Sequence, residues 1–284
     1  MQTLFNQDYT CFRLPLQAAA KSETEAIALT DYTTLFLQRI GMAADTPVTF
    51  DTLPDILAHT AYSIPFENIS LMEHNLHPLT KKEVRHKLLL ENKGGLCYEI
   101  NPSLYYFLAE NKMDVKLLRG TIYNQQTNDW SDTGQTHVLI GLNIHGKEYV
   151  LDAGFGINLP LLPVPMNGQP VNSSTGTFRV IKAEGALHQL LMKPINRADW
   201  VIGYSFDPSI VISEKELNAI QDIIATHPLS PFNKKKLVAQ LVPNGSIKLT
   251  EKNFTQTLNG IRKQEVINKS RFAELAREVF HLPY

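Results

Sequence analysis

Three residue types that can carry out covalent catalysis occur in order along this chain: a cysteine, a histidine and an aspartate. Cys97 lies in the segment Lys-Gly-Gly-Leu-Cys-Tyr-Glu (93–99), His137 comes 40 positions later, and Asp152 opens the segment Asp-Ala-Gly-Phe-Gly. In acyl-transfer sites a thiol, an imidazole and a carboxylate serve as the nucleophile, its base and the group that orients the base. The two glycines before Cys97 allow the backbone to turn tightly and to approach a substrate closely. The residue types therefore predict a catalytic triad.

Each of these residues also has a purely structural interpretation. A histidine and an aspartate at the ends of neighbouring strands often form a structural hydrogen bond. A glycine pair can be a simple turn, and a lone cysteine commonly behaves as a small buried hydrophobic residue. Metal binding is less favoured, because the sequence contains neither Cys-x-x-Cys nor His-Glu-x-x-His, and we predict no metal site. Spacing alone leaves the catalytic and the structural interpretation open.

An alternating pattern places the histidine and the aspartate on one β-hairpin. Apolar residues alternate on both sides of His145-Gly146, at Val138, Ile140, Leu142 and Ile144 before it and at Tyr149, Leu151 and Ala153 after it. A turn of even length centred there pairs Ile140 with Leu151 on the core face. His137 and Asp152 then become diagonal neighbours on the other face, about 7–8 Å apart by backbone. A shift of one residue would move Asp152 to the core face, so the apolar and the catalytic pairing support each other.

Helical patterns occupy the first and the last third of the chain. Asp31, Asp51 and Thr80 can each cap a helix, and Ser213-Glu214-Lys215-Glu216 is a capping box. Apolar residues recur at helical spacing again between positions 272 and 280. Asn101-Pro102 favours a helix that starts after Cys97, since proline suits a first turn. Helices, then strands with a proline-rich loop at 160–170, then a mixed end predict an α+β fold.

The composition is that of a globular protein and excludes several function classes. The 284 residues are 43% hydrophobic and 19% charged, with a net charge of −1. No basic excess exists to neutralise nucleic-acid phosphates, so we predict no nucleic-acid partner. No apolar run is long enough to span a bilayer, and the N-terminus does not read as a secretory signal, so we predict no membrane partner. Two cysteines are too few for a disulfide framework, which favours a cytoplasmic location.

The sequence resembles the arylamine N-acetyltransferase family over nearly its whole length from Asp31 onward. The resemblance rests on the order and joint presence of several motifs rather than on any one of them. They are Phe-Leu-Gln-Arg-Ile-Gly at 36–41, Ile-Pro-Phe-Glu-Asn-Ile at 64–69, Gly-Gly-Leu-Cys-Tyr-Glu at 94–99, Thr136-His137, Leu-Asp-Ala-Gly-Phe-Gly at 151–156 and Thr-His-Pro-Leu-Ser-Pro-Phe at 226–232.

The resemblance implies a fold and a division of the chain. It implies a helical bundle with the nucleophilic cysteine at 30–112, an antiparallel β-barrel with the histidine and aspartate at 113–207, and a C-terminal α/β lid at 208–284, around a cysteine-protease-like core. Residues 1–29 are interpreted as an N-terminal extension. The family places its cysteine at a helix N-terminus, in contrast to the Asn101-Pro102 signal.

The resemblance also implies a reaction and its residues. Acetyl-CoA is the expected co-substrate, and an aromatic amine or a hydrazine is the expected acceptor. The family's catalytic residues fall on Cys97, His137 and Asp152, with ping-pong transfer through a cysteine thioester. Its substrate-binding positions fall on Phe66, Thr136 and Phe155.

One departure from the family concerns Lys93, where arginine is usual. If Lys93 pairs with a buried carboxylate such as Glu67, it lacks the bidentate fork of arginine. Lys234-Lys235-Lys236 could meet coenzyme phosphates, although a solvated surface is the favoured interpretation.

Three other functions fit the same residues. The first is a cysteine hydrolase or a transglutaminase-like enzyme, and the second is an amide synthase that uses a carrier-bound acyl chain. The third is a small-aromatic binding module with an inactive triad, which is the least favoured because all three catalytic residue types are present.

Overall fold

The structure is a computed structural model that describes residues 31–195 and 197–283, so the predicted N-terminal extension lies outside the described residues. Its first part is helical. The elements are α1 (Tyr32–Arg39), a 3-10 turn (Phe50–Thr52), α2 (Leu53–Ser63), the short strand β1 (Phe66–Glu67), α3 (Ile69–Met72), α4 (Lys81–Arg85), a π-helical turn (His86–Leu90) and α5 (Cys97–Glu110).

Local sequence signals explain where two of these helices begin. Asp31 accepts the Thr34 N–H at 2.7 Å and caps α1, and Thr80 caps α4. Asp51 does not cap α2, because a 3-10 turn intervenes and α2 starts at Leu53. Helix α5 likewise begins at Cys97 and contains Pro102 in its second turn, so the signal for a later start is wrong. Pro102 costs one backbone hydrogen bond, which the packing of this buried helix compensates.

The central part is an antiparallel sheet curled into a nearly closed barrel. The strands follow the order β6-β5-β4-β2-β10-β9-β8-β7, β3 pairs with β2, and β6 also contacts β8. Their bounds are β2 (Asp114–Asn124), β3 (Asp129–Trp130), β4 (His137–Ile144), β5 (Lys147–Leu151), β6 (Val164–Pro165), β7 (Val171–Ser173), β8 (Gly176–Lys182), β9 (His188–Pro194) and β10 (Val201–Val211).

The β4–β5 hairpin has the predicted register. Ile140 pairs with Leu151 and Leu142 pairs with Tyr149. His145 and Gly146 form the two-residue turn, and both have positive φ, at 51° and 81°. Such a turn matches the twist of the two strands. The pairing directs the apolar faces of both strands into the core shared with α5.

The C-terminal part combines a helix, a sheet and a last helix. It consists of α6 (Glu214–Thr226), β11 (Leu237–Val242), β12 (Gly245–Thr250), β13 (Asn253–Leu258), β14 (Ile261–Val266) and α7 (Lys269–Glu278). The second sheet has the order β1-β11-β12-β13-β14, so a strand from the helical part joins it. The predicted fold class is confirmed as a mixed helix and sheet arrangement with a central barrel. Among the described residues, no helix has the length and apolarity needed to cross a membrane.

Candidate active site

The structure brings Cys97, His137 and Asp152 together from three elements. Cys97 is the first residue of α5, His137 is the first residue of β4, and Asp152 directly follows β5. Helix α5 packs against β4, so the start of the helix faces the open end of the hairpin. All three side chains are buried, with relative exposures of 9%, 3% and 1%. The hairpin alone joins the imidazole to the carboxylate, and the helix adds the thiol.

Asp152 uses both carboxylate oxygens. His137 Nε2 lies 2.8 Å from Asp152 Oδ2. Asp152 Oδ1 accepts the Asn101 Nδ2–H at 2.9 Å and the Gly154 backbone N–H at 2.8 Å. Asn101 Oδ1 in turn accepts the Ala153 N–H at 2.8 Å. This network fixes the carboxylate in one orientation and leaves the second imidazole nitrogen of His137 for other partners.

The electrostatic surroundings of His137 favour its charged form. Burial by itself lowers the pKa of the imidazole, but the charge and the hydrogen bond of Asp152 outweigh this effect. The Cys97 side chain contributes in the same direction, and together these groups raise the pKa of His137 to about 10. A protonated imidazole beside a thiol is the arrangement that stabilises a thiolate.

The nucleophile position is defined by close packing. Cys97 Sγ donates to the Thr136 carbonyl oxygen at 3.7 Å. A Cβ on Gly154 would lie 2.7 Å from Cys97 Cα and 2.8 Å from Asn101 Nδ2, so only glycine allows the strand end to approach the helix this closely. Gly154 therefore makes room for Cys97 itself. The backbone N–H groups of Cys97 and Tyr98 belong to the first helical turn and have no intrahelical acceptor.

The glycine pair before Cys97 allows close packing inside the protein. A Cβ on Gly94 would lie 2.2 Å from the Pro65 carbonyl oxygen and 2.7 Å from Glu67 Cγ. A Cβ on Gly95 would lie 2.8 Å from Glu99 Oε2. The described contacts that require glycine here are thus to the protein's own backbone and to two buried carboxylates.

The predicted substrate-binding residues lie around the triad. Thr136 supplies the carbonyl next to Cys97 Sγ. The Phe155 ring centroid is 5.3 Å from that of His137. Phe66 forms a parallel bridge with Gly95, and its ring centroid is 5.7 Å from that of Phe232. Phe232 belongs to the C-terminal part, so this ring contact connects that part to Phe66. The substrate-binding role of these residues stays a prediction.

Sequence reasoning missed two residues of the site. Asn101 enters the sequence analysis only through the Asn101-Pro102 signal for a helix start, yet it lies one turn after Cys97 and holds Asp152. An i, i+4 search from Cys97 would have found this amide. Tyr204 lies on β10, its ring centroid is 4.7 Å from that of His137, and its buried hydroxyl interacts with Asp152. Burial first, and then the charge of Asp152, raise the pKa of this phenol, which is therefore neutral. No local pattern indicates Tyr204.

Two of the lysines considered from the sequence, Lys93 and Lys236, form ion pairs in the structure. Lys93 Nζ lies 3.0 Å from Glu91 Oε2, and the ammonium near Glu67 belongs to Lys87, with Nζ 3.9 Å from Glu67 Oε1. Lys236 Nζ lies 2.5 Å from Glu73 Oε1. Within the described residues, no group of three or more histidine, cysteine, aspartate or glutamate side chains is arranged to hold a metal ion.

Comparisons with known proteins agree with this geometry. A family model described as N-acetyltransferase matches residues 49–283. The uncharacterized acetyltransferase YvcN of Bacillus subtilis is 37% identical over 245 residues, which cover 84% of this chain and 94% of that protein. The crystal structure of arylamine N-acetyltransferase C from Bacillus anthracis is 36% identical, with a TM-score of 0.84, and the match covers 89% of this chain and 99% of that chain.

A second solved structure has a different acid in its triad. It is an arylamine N-acetyltransferase from Bacillus cereus with a Cys-His-Glu catalytic triad, 34% identical to this chain. Its TM-score is 0.85, and the match covers 90% of this chain and 100% of that chain. This chain has an aspartate, Asp152, hydrogen-bonded to His137.

Proposed function

This chain belongs to the arylamine N-acetyltransferase family, and we propose that it transfers an acetyl group from acetyl-CoA to an arylamine or a hydrazine through a thioester on Cys97. The observation that carries the proposal is the position of His137. Its Nε2 lies 2.8 Å from Asp152 Oδ2, and the same imidazole interacts with the Cys97 side chain at the start of α5. Cys97, His137 and Asp152 are the proposed catalytic residues.

In the first half-reaction Cys97 becomes acetylated. The thiol gives its proton to His137, whose imidazolium is stabilised by the Asp152 carboxylate. The thiolate then attacks the thioester carbonyl of acetyl-CoA, and the carbonyl oxygen becomes an oxyanion. The free N–H groups of the first turn of α5 are placed to donate to this oxyanion. When the intermediate collapses, the CoA sulfur leaves and takes the proton from His137.

In the second half-reaction the acetyl group moves to the acceptor. The amine attacks the acetyl-cysteine carbonyl while the neutral imidazole of His137 accepts the amine proton. The Cys97 thiolate leaves, and the thiolate–imidazolium pair is restored. Asp152 keeps the same hydrogen bond in both halves, since it orients the imidazole and does not itself exchange protons.

The aromatic surroundings support an aryl acceptor over water. The Phe155 ring packs against His137, and Phe66, which is bridged to Gly95 two residues before Cys97, packs against Phe232. Such rings offer an aromatic amine offset or edge-to-face contacts. An apolar lining would also exclude water from the acetyl-cysteine, which transfer requires. Thr136 contributes its backbone carbonyl beside the sulfur.

Kinetics and mass spectrometry test the proposal together. With acetyl-CoA alone, intact mass and peptide mapping should show one acetyl group on Cys97, and Cys97→Ala should show none. Double-reciprocal plots against acetyl-CoA at several arylamine concentrations should give parallel lines. Intersecting lines together with an unacetylated Cys97 would overturn the proposal.

The same assay distinguishes the other enzyme classes. A hydrolase would release acetate from acetyl-CoA or a chromogenic ester at a rate that arylamine does not change. An amide synthase would leave Cys97 unmodified by acetyl-CoA and would require a carrier-bound acyl chain. The cytoplasmic location remains a prediction from cysteine usage.

A further inference from the structure

A buried ammonium outside the triad lies between two buried carboxylates. Lys87 Nζ is 2.6 Å from Glu99 Oε1 and 3.9 Å from Glu67 Oε1. The relative exposure of the side chains is 16% for Lys87, 7% for Glu99 and 0% for Glu67. Taking three charged groups out of water is costly unless they compensate one another, so this cluster needs an explanation.

Both acidic residues contact the backbone before the nucleophile, Glu99 through its carboxylate and Glu67 through its own backbone N–H. Glu99 is the third residue of α5, and its Oε2 accepts the Leu96 N–H at 2.9 Å. Glu67 donates its own backbone N–H to the Gly95 carbonyl at 2.9 Å, while its Oε2 accepts the Ile69 N–H at 2.5 Å. The segment 94–97 is therefore held from one side by Glu67 and from the other by Glu99.

The glycine pair shows how closely the carboxylates approach this segment. The space that a Cβ would take on Gly94 is filled by Glu67 Cγ, and the space on Gly95 is filled by Glu99 Oε2. Each glycine accommodates one member of the ion cluster. The two glycines of Gly-Gly-Leu-Cys thus allow close contact with the two acidic side chains that pair with Lys87.

The two carboxylates would oppose a thiolate if they were left unpaired. Burial first, and then negative charge on Glu99, Cys97 and Glu67, raise the pKa of Tyr98, which lies between Cys97 and Glu99 in the chain. Burial lowers the pKa of Lys87, but Glu99 and Glu67 outweigh it and raise the pKa above the ordinary lysine value. Lys87 is therefore protonated and cancels part of this negative charge.

We propose that Lys87 is a positioning residue for Cys97. By pairing with Glu99 and Glu67 it holds the segment 94–97 and offsets their charge, so that the Cys97 thiolate forms beside His137. The inference rests on the proposed function, since it assumes that Cys97 reacts as a thiolate. Lys87 lies in the π-helical turn His86–Leu90, and such turns are frequent at functional sites.

The test is the pH dependence of Cys97 alkylation by iodoacetamide, read on the Cys97 peptide by mass spectrometry. We expect Lys87→Met to raise the midpoint pH of alkylation by about one unit, because the buried carboxylates then disfavour the thiolate. Lys87→Arg should keep the wild-type midpoint. Lys87→Met combined with Glu99→Gln should recover part of the shift, since one carboxylate charge is removed and the glutamine carbonyl can still accept the Leu96 N–H.

A matched control separates this effect from the general loss of an ion pair. Lys81→Met removes an ammonium 2.5 Å from Glu110 on a more exposed surface, with side-chain exposures of 44% and 32%, and should leave the midpoint unchanged. A folded Lys87→Met with the wild-type midpoint would overturn the inference, even if its acetyl-transfer rate fell.

A second variant keeps the inference testable if Lys87→Met does not fold. Glu99→Gln with Lys87 intact should lower the midpoint, because one of the two buried negative charges near the thiol is then removed while the ammonium stays. An unchanged or raised midpoint would contradict the charge effect. Alkylation does not depend on acetyl-CoA, so a failed acetyl-transfer assay with the expected midpoint shifts would overturn the proposed function and leave the role of Lys87 supported.

Discussion

Asp152 determines which protonation state of His137 is stable, because both of its oxygens have fixed partners. Oδ2 faces His137 Nε2, and Oδ1 is held by the Asn101 amide and the Gly154 N–H. The Asp152 charge is thus held in a fixed position beside the imidazole. That charge in turn keeps the imidazole protonated near the thiol. The candidate mechanism therefore depends on the Asp152 carboxylate, whose orientation is set by the Asn101 amide on α5.

Replacing the carboxylate by an amide should be more harmful than lengthening it. Asp152→Asn removes the charge that raises the pKa of His137, and we expect kcat/KM for acetyl transfer to fall by about 10³- to 10⁴-fold. Asp152→Glu keeps the charge, and a related solved structure has a glutamate in its triad, so this variant should retain more activity. Steady-state kinetics on both variants measures the ratio. An Asp152→Asn variant at least as active as Asp152→Glu would contradict the prediction.

The raised pKa of His137 should also be visible in the stability of the protein. Its folded value is about 10 against an ordinary value of 6.5, so the native state binds the proton more tightly than the unfolded state. This contribution to the free energy of unfolding is complete below about pH 6.5, declines as the pH rises and is lost above about pH 10. Urea denaturation between pH 6 and 10 should show this decline, and Asp152→Asn should flatten it. If the free energy of unfolding changes with pH at the same slope in the wild type and in Asp152→Asn, the raised pKa of His137 is contradicted.

Two secondary-structure elements form the site where they meet. They are the start of α5 and the end of the β4–β5 hairpin. Gly154 is the point of closest approach, since a side chain there would overlap Cys97 Cα. Asn101 connects the same two elements through the Val138 carbonyl at 2.7 Å and through Asp152. A small displacement of the helix against the sheet would thus separate the thiol from the imidazole without altering any triad residue.

Adding one methyl group at this contact should therefore reduce activity. In Gly154→Ala the new Cβ meets a backbone atom at 2.7 Å, which cannot move away as a flexible side chain can. We expect the acetylation rate of Cys97 to fall by about 100-fold, because small misplacements of reacting groups have effects of that size. Gly141→Ala in β4 is the matched control, since its Cβ meets side-chain atoms of Lys116 and Leu118 at 3.0 and 3.1 Å. Equal losses in the two variants would show that the contact has no special role.

The C-terminal part is attached to the segment that contains Phe66 and Asn68. Strand β11 pairs with β1, with Phe66 opposite Ala239, so the second sheet is attached directly to the nucleophile-bearing part. Asn68 secures the connecting segment, because its Nδ2 donates to the Phe232 and Lys235 carbonyls at 2.6 and 2.8 Å and its Oδ1 accepts the Leu237 N–H at 2.7 Å. These bonds hold Phe232 against Phe66.

Loosening this attachment should admit water to the acetyl-cysteine. Asn68→Ala removes three hydrogen bonds and should lower stability by about 1–3 kcal/mol. We expect a faster hydrolysis of the acetyl-enzyme without acceptor and a higher KM for the arylamine, with a smaller effect on the acetylation step. Asn111→Ala is the control, since the Asn111 amide donates hydrogen bonds to Thr33 Oγ1 and to the Phe107 carbonyl, both within the helical part. An acetyl-enzyme lifetime that changes equally in both variants would refute a specific sealing role.

Local patterns in the sequence predicted the parts of the site that depend on neighbouring residues. The alternation around His145-Gly146 predicted the hairpin and its register, and hence that His137 and Asp152 share a face. Caps at Asp31 and Thr80 and the capping box at Ser213 marked helix starts for the same reason, because each involves residues within one turn. The order of cysteine, histidine and aspartate indicated the chemistry, and the family motifs indicated the fold.

Tertiary packing decided the features that join distant segments. Helix α5 begins at Cys97 although Pro102 favours a later start, because burial against the barrel outweighs one lost hydrogen bond. Lys87, Glu67 and Glu99 form their cluster across 32 positions of sequence, and Tyr204 reaches His137 from another strand. The sequence by itself therefore determined which groups are available and which strand faces they occupy. Only the fold decided where the thiol meets the imidazole and which charges surround it, since long-range packing sets both and leaves no periodic signal.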